Sequence, residues 1–198
     1  MGMYEVSVRA KYNSARMSIL KVARMGHPVL RTKTQALDRA TLKSAVVQKL
    51  IDDMMDTMEE YHGVGLAAPQ VHEGVRLFVA SLDMERGEEP TDPIAIVNPE
   101  ITPLGPDVVD DWEGCLSIPD IRGMVPRYRE VRVRGFDRAG ERLELRAKGF
   151  SARVIQHETD HLDGILFFDR MKTFDTLTFL EEYSRYWNKK ADEDDESA

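Results

Sequence analysis

The chain has a single cysteine, Cys115, among 198 residues, so no disulfide framework can form within it, and the usage suits a reducing compartment. It lacks any apolar run near the ~18 residues of a membrane span, which excludes a bilayer-crossing helix as a reading. Positive charge is scarce: 27 Lys and Arg stand against 35 Asp and Glu, leaving a formal −8. That balance argues against a broad electrostatic grip on nucleic acid, DNA included. No Gly/Ser linker and no internal repeat interrupts the chain, so one domain is expected. What remains is 42% hydrophobic and 31% charged, the composition of a soluble globular domain.

The two ends differ in charge. Residues 1–16 carry Arg9, Lys11 and Arg16 against Glu5, without the apolar stretch of a secretory signal. They begin Met-Gly but place Val6 where a myristoylation site wants Ser or Thr. These residues are expected to be a flexible extension, with Met17 as an alternative start, ahead of a folded domain over 17–188. Residues 189–198 include Asp192, Glu193, Asp194, Asp195 and Glu196, and read as an acidic, disordered tail.

Apolar residues Leu42, Val46, Leu50, Met54, Met58 and Tyr61 recur at spacings of three and four, which predicts an amphipathic helix over 38–62. Asp38 and Thr41 are its candidate N-caps, and Gly63 its left-handed stop. The methionines Met25, Met54, Met55, Met58 and Met84 read as core filling rather than a binding groove. Strands are expected over 77–80 and 94–97. Val131, Val133 and Phe136 alternate with arginines, and Leu143, Leu145 and Ala147 follow a turn ending at Gly140, which predicts a β-hairpin with one wet face. A second helix is expected over 151–163, stopped by Gly164. A third is expected over 175–188, burying Leu177, Leu180, Tyr183 and Trp187. Helix, strands, helix, helix is neither a βαβ alternation nor an all-helical order. The fold class that fits is α+β, a single domain with antiparallel or mixed β-sheets packed around a central helix.

Chemistry concentrates in Gln156-His157-Glu158-Thr159-Asp160-His161. Residues four apart on a helix share a face, so His157 and His161 can hold one divalent metal, with Glu158 beside it as a general base. A catalytic metal usually takes three protein ligands and one open position. A metzincin-like third histidine would fall at 167, which is Phe167, so that pattern fails. Glu181 stands at the distance of a thermolysin-like third ligand, which keeps an endoprotease open. Cys115, in Trp112-Glu113-Gly114-Cys115-Leu116-Ser117, offers a soft thiolate ligand in a polar, Gly-marked connection. A buried inert thiol and a Cys-His nucleophile are its alternatives, although a nucleophile needs one histidine base rather than a pair at metal spacing. In Gly63-Val64-Gly65-Leu66-Ala67-Ala68-Pro69-Gln70, the glycines allow close backbone approach and the Gln70 amide can donate to an oxyanion.

Together, Gly63–Gln70, Glu113–Ser117 and Gln156–Gly164 resemble, in order and separation, the three signature motifs of peptide deformylase. Arg24-Met25-Gly26-His27-Pro28-Val29-Leu30-Arg31 and Gly123-Met124-Val125-Pro126-Arg127 extend the likeness over about Ser18 to Met171. The latter stretch is similar to a branch found in mitochondria and plant organelles that also occurs among bacteria. The resemblance implies that Cys115, His157 and His161 hold one divalent metal, Fe(II) in the cell and Zn(II), Ni(II) or Co(II) as alternatives. It implies that Glu158 moves the proton, and that the Gln70 side chain and the Leu116 backbone N–H hold the oxyanion. Val64 and Gly65 would pair with substrate as an added strand, Val154 would wall the methionine pocket, and Glu113 with Arg127 would brace the Cys115 loop. The implied reaction is hydrolysis of the N-formyl group from N-formylmethionyl peptides, releasing formate. Location would be cytoplasmic in a bacterium and organellar in a eukaryote. A transient ribosome association belongs to the same implication, but an acidic tail would be repelled by RNA phosphates. A non-catalytic binding module that keeps a structural metal is the rival of a different class.

Overall fold

Asp38 accepts hydrogen bonds from the backbone N–H groups of Ala40 and Thr41, and this cap starts α1 (Arg39–Leu42). The structure, a computed structural model, describes residues 18–82 and 92–188. The expected extension over 1–16, Met84 and the acidic tail lie outside the described residues. The helix expected over 38–62 is broken after Lys43: Ser44 caps a new helix, α2 (Ala45–Glu60). That restart rotates the apolar face by one position. Val47, Ile51, Met54, Met55 and Met58 are buried, while Val46 is 79% exposed and Tyr61 also faces out. The left-handed residue after α2 is His62, at φ 53, and not Gly63. Met54, Met55 and Met58 do fill the core, whereas Met25 is exposed.

Four strands follow: β1 (Gly65–Ala67), β2 (Leu77–Ala80), β3 (Ile94–Pro103) and β4 (Val108–Cys115). After them come β5 (Ile118–Tyr128), β6 (Glu130–Phe136), β7 (Arg142–Lys148), α3 (Gly149–Leu162), β8 (Thr178–Phe179) and α4 (Leu180–Tyr186). One sheet has the order β1-β2-β3-β6-β7 and the other β4-β5-β8, and every pairing is antiparallel. Strands β4 and β5 are a long hairpin over the region read from sequence as a connection. Its alternating Asp, Arg and Gly residues hide the period-2 signal.

The apolar run of β2 is explained by burial on both faces. Leu77 and Val79 pack with Ile51, Met54 and Met58 of α2, while Phe78 and Ala80 pack with Ala152 and Ile155 of α3. A third cluster, with Leu30, Ile118, Val125, Leu166 and Phe167, seats the β4–β5 hairpin. The β6–β7 hairpin forms as expected, with Gly140 at φ 77 in its turn. Gly164, at φ 74, ends α3 as expected. The third expected helix shrinks to α4, and Leu177 and Trp187 are exposed rather than buried.

Candidate active site

Two imidazoles reach one side of α3 because His157 and His161 sit one turn apart, with ring centroids 4.9 Å from each other. The turn between β4 and β5 brings Cys115 to them, with its Sγ 3.2 Å from His161 Nε2. The ligand atoms of Cys115, His157 and His161 all lie within 4.8 Å of one another. Glu181, the competing third ligand, does not join them: it stands on exposed α4 and pairs with Arg185 at 2.9 Å. Phe167 stacks on His157 with ring centroids 6.4 Å apart.

The three donors fit a divalent cation. Burial, with His157 and Arg127 nearby, holds the His161 pKa well below 6.5, so its ring is neutral and able to ligate. Burial lowers His157 as well, but hydrogen bonds to Cys115 and Glu113 more than reverse this and lift its pKa well above 6.5. A cation among these donors competes with that proton. Glu158 is buried at the wall of the cleft, and burial raises its pKa to about 7. Among the described residues, Glu158 Oε2 and His161 Nδ1 are buried polar atoms without a protein partner.

Behind the imidazoles lies a charged network that the sequence showed only in part. Arg127 makes a bidentate pair with Glu113, at 2.9 and 3.0 Å, as expected. Glu113 Oε2 also bonds His157 Nδ1 at 2.9 Å, which aims the opposite ring nitrogen at Cys115. Burial would raise the Glu113 carboxyl, but the hydrogen bonds from His157 and Arg127 outweigh it and hold the group far below the usual carboxylate range. Two participants were missed. Arg153 donates to Glu113 at 2.8 Å and to the carbonyls of Val125 and Val109 at 2.7 Å each, tying α3 to both strands of the hairpin. Asp160 joins Arg127 and Arg170, the latter at 2.7 Å. Their positions, four before and three after His157, were the available signal.

The remaining expected residues line the same cleft, of about 970 Å³, together with Cys115, His157 and Glu158. Gln70 is held by its own Oε1, which accepts from Ala67 N at 2.8 Å. This points its Nε2 toward Cys115 Sγ at 3.5 Å and Ser117 Oγ at 3.4 Å. Val64, Leu116 and Val154 line the cleft, and Gly65 opens β1 at the edge of the five-stranded sheet. Gly65 answers a packing demand as well. A Cβ there would meet Glu158 Oε1 at 2.4 Å, so only a glycine lets that carboxylate lie against the strand.

The model of the polypeptide deformylase family matches residues 19–176. Peptide deformylase 1 of Bordetella pertussis is 42% identical over 165 residues, covering 81% of this chain and 92% of that protein. Peptide deformylase 1 of Xanthomonas axonopodis pv. citri is 45% identical over 146 residues, covering 72% and 85%. The crystal structure of the Acinetobacter baumannii class I type b peptide deformylase bound to Met-Ala-Ser superposes with a TM-score of 0.74 at 36% identity, covering 79% of this chain and all of that one. With the family model spanning residues 19–176 and these relatives covered over most of their own length, the chain belongs to the peptide deformylase family.

Proposed function

We propose that the protein removes the N-formyl group from N-formylmethionyl peptides by metal-dependent hydrolysis. The observation that carries this reading is the convergence of one thiol and two imidazoles beside a buried carboxylate, in a chain of this family. Cys115, His157 and His161 hold the ion. A divalent cation there supplies Lewis-acid polarisation of the formyl carbonyl and a lowered pKa for water. Fe(II) is the resident ion of this proposal, and Zn(II), Ni(II) and Co(II) share the ligand preference.

This chain's residues supply the rest. Glu158 Oε2 accepts a proton from the attacking water and delivers it to the α-amino nitrogen as the formyl C–N bond breaks. The water's oxygen ends in formate, and the peptide leaves with a free amino group. Gln70 Nε2 and the Leu116 N–H donate to the developing oxyanion. Among the described residues, strand β1 has a partner on one side only, so its other edge can take the substrate backbone as an added strand at Val64 and Gly65. Val154, about one turn before His157 and one turn after Phe150 in the cleft wall, lines the methionine pocket.

Formate release from formyl-Met-Ala, with metal measured on anaerobically purified protein, tests the reading. Cys115→Ala is expected to lose metal and turnover, while Glu181→Gln keeps both; the reverse result selects an endoprotease. Glu158→Gln should keep the ion and lose roughly 10²- to 10⁴-fold in kcat. An unchanged Glu158→Gln, or a metal-loaded wild type without turnover, points to a binding module instead.

A further inference from the structure

The buried Glu113 carboxylate has no acceptor position to spare. Its Oε1 accepts from Arg127 Nε at 2.9 Å and from Arg153 Nη1 at 2.8 Å. Its Oε2 accepts from Arg127 Nη2 at 3.0 Å and bonds His157 Nδ1 at 2.9 Å. A carboxylate offers about four such positions, so the set is full and the group is held in one orientation. The two arginines reach it from opposite directions. Arg127 belongs to β5 and meets α3 through Asp160. Arg153 starts on α3, one turn before His157, and runs back to the hairpin. Besides Glu113, it donates to the Val109 carbonyl of β4 and the Val125 carbonyl of β5, at 2.7 Å each. Its side chain is only 7% exposed. A planar fork of fixed donors lets one side chain serve a carboxylate and two carbonyls together, which a compact ammonium does not.

We infer that Arg153 is a positioning residue for the metal donors. It completes the grip on Glu113, which aims His157, and it pins the hairpin whose tip carries Cys115, so that thiol and imidazole meet at one ion. The inference rests on the metal-site reading and adds to it a residue that is itself no ligand. The hairpin has other holds on the fold: its strands pair along most of their length, and Ile118 and Val125 pack with Leu166 and Phe167. Apolar packing of that kind does not orient a carboxylate, whereas the Arg153 guanidinium does. Partners of this kind, hydrogen-bonded behind a ligating imidazole, are worth about 10- to 100-fold in metal affinity.

The test is the Zn(II) affinity of the full chain, measured by competition with a chromophoric chelator for the wild type, Cys115→Ala and Arg153→Lys. Lysine keeps the charge and loses the fork. A Cys115→Ala protein that binds Zn(II) as tightly as the wild type overturns the metal-site reading, and the inference falls with it. With the site located by that variant, Arg153→Lys should bind Zn(II) about 10- to 100-fold more weakly than the wild type. Co(II) at saturating concentration gives the spectroscopic signature: the near-ultraviolet thiolate-to-cobalt band should shift or lose intensity in Arg153→Lys. Unchanged affinity, with only the melting temperature lowered, overturns the inference and leaves the metal site standing. Weaker binding with an unchanged cobalt spectrum assigns the loss to stability and overturns it too. If Arg153→Lys is recovered unfolded, Arg153→Gln, which can still donate to a strand carbonyl, is measured against the same expectation. Failure of both variants to fold in the presence of Zn(II) also counts against it, because the arginine then serves the fold and not the donors.

Discussion

At the scale of single residues, the candidate site depends on how closely atoms pack around Glu158. Its carboxylate is walled by a backbone that has no side chain at Gly65. A methyl group there must displace the carboxylate, and a 1 Å displacement of a reacting group costs about a hundredfold. Gly65→Ala is therefore expected to lower kcat by roughly 10²-fold with the melting temperature reduced only modestly. Steady-state formate release beside a thermal melt checks this. The metal donors were legible in sequence because His157, Glu158 and His161 carry their geometry in their spacing. Cys115 was legible only by elimination and resemblance, since nothing local says which imidazoles a distant thiol will meet. Arg153 was illegible for a related reason: its partners are carbonyls of two strands brought beside it by tertiary packing.

At the scale of elements, capping decides more than apolar count. A continuous helical pattern over 38–62 looks like one helix, yet Ser44 offers a cap that restarts the chain and turns the apolar face by one residue. The β4–β5 hairpin was missed because its strands carry charges that pair across or above the sheet instead of alternating with apolar residues. Helix α4 was overestimated because Leu177, Leu180, Tyr183 and Trp187 have helical spacing without a core to meet. The short 3-10 turn Phe167–Arg170 after α3 is joined to the N-terminal segment by Asp169 and Arg31, which form an ion pair. Burial raises the Asp169 pKa, but hydrogen bonds from Arg31 and the Leu166 N–H outweigh it, leaving the group below its ordinary 3.8. A depressed folded-state pKa contributes stability that is complete above the unfolded value and is lost as pH falls through the folded one. Asp169→Asn should therefore melt up to about 3 °C below the wild type at pH 6, with the gap narrowing as the pH falls below 3.8. Melting curves across that range are the measurement.

At the scale of the whole molecule, α3 is enclosed by one sheet and by the hairpin of the other, and the donor set spans α3 and that hairpin. Anything that binds these donors in the folded state and not in the unfolded chain adds to stability by mass action. Removing metal with a chelator is expected to lower the melting temperature by roughly 5 °C or more. In Cys115→Ala the same treatment should change nothing, because the donor set is already incomplete. A chelator effect of equal size in both proteins would place the stabilising ion elsewhere.

The sulfur and the nearer imidazole nitrogen touch across 46 residues of chain, a hairpin tip against a helix held by the packing of three cores. A partly synthesised or partly folded chain consequently has no latent hydrolytic centre to misfire on neighbouring proteins. The proposed ion site therefore exists only in the folded chain, which couples its affinity for a cation to folding itself.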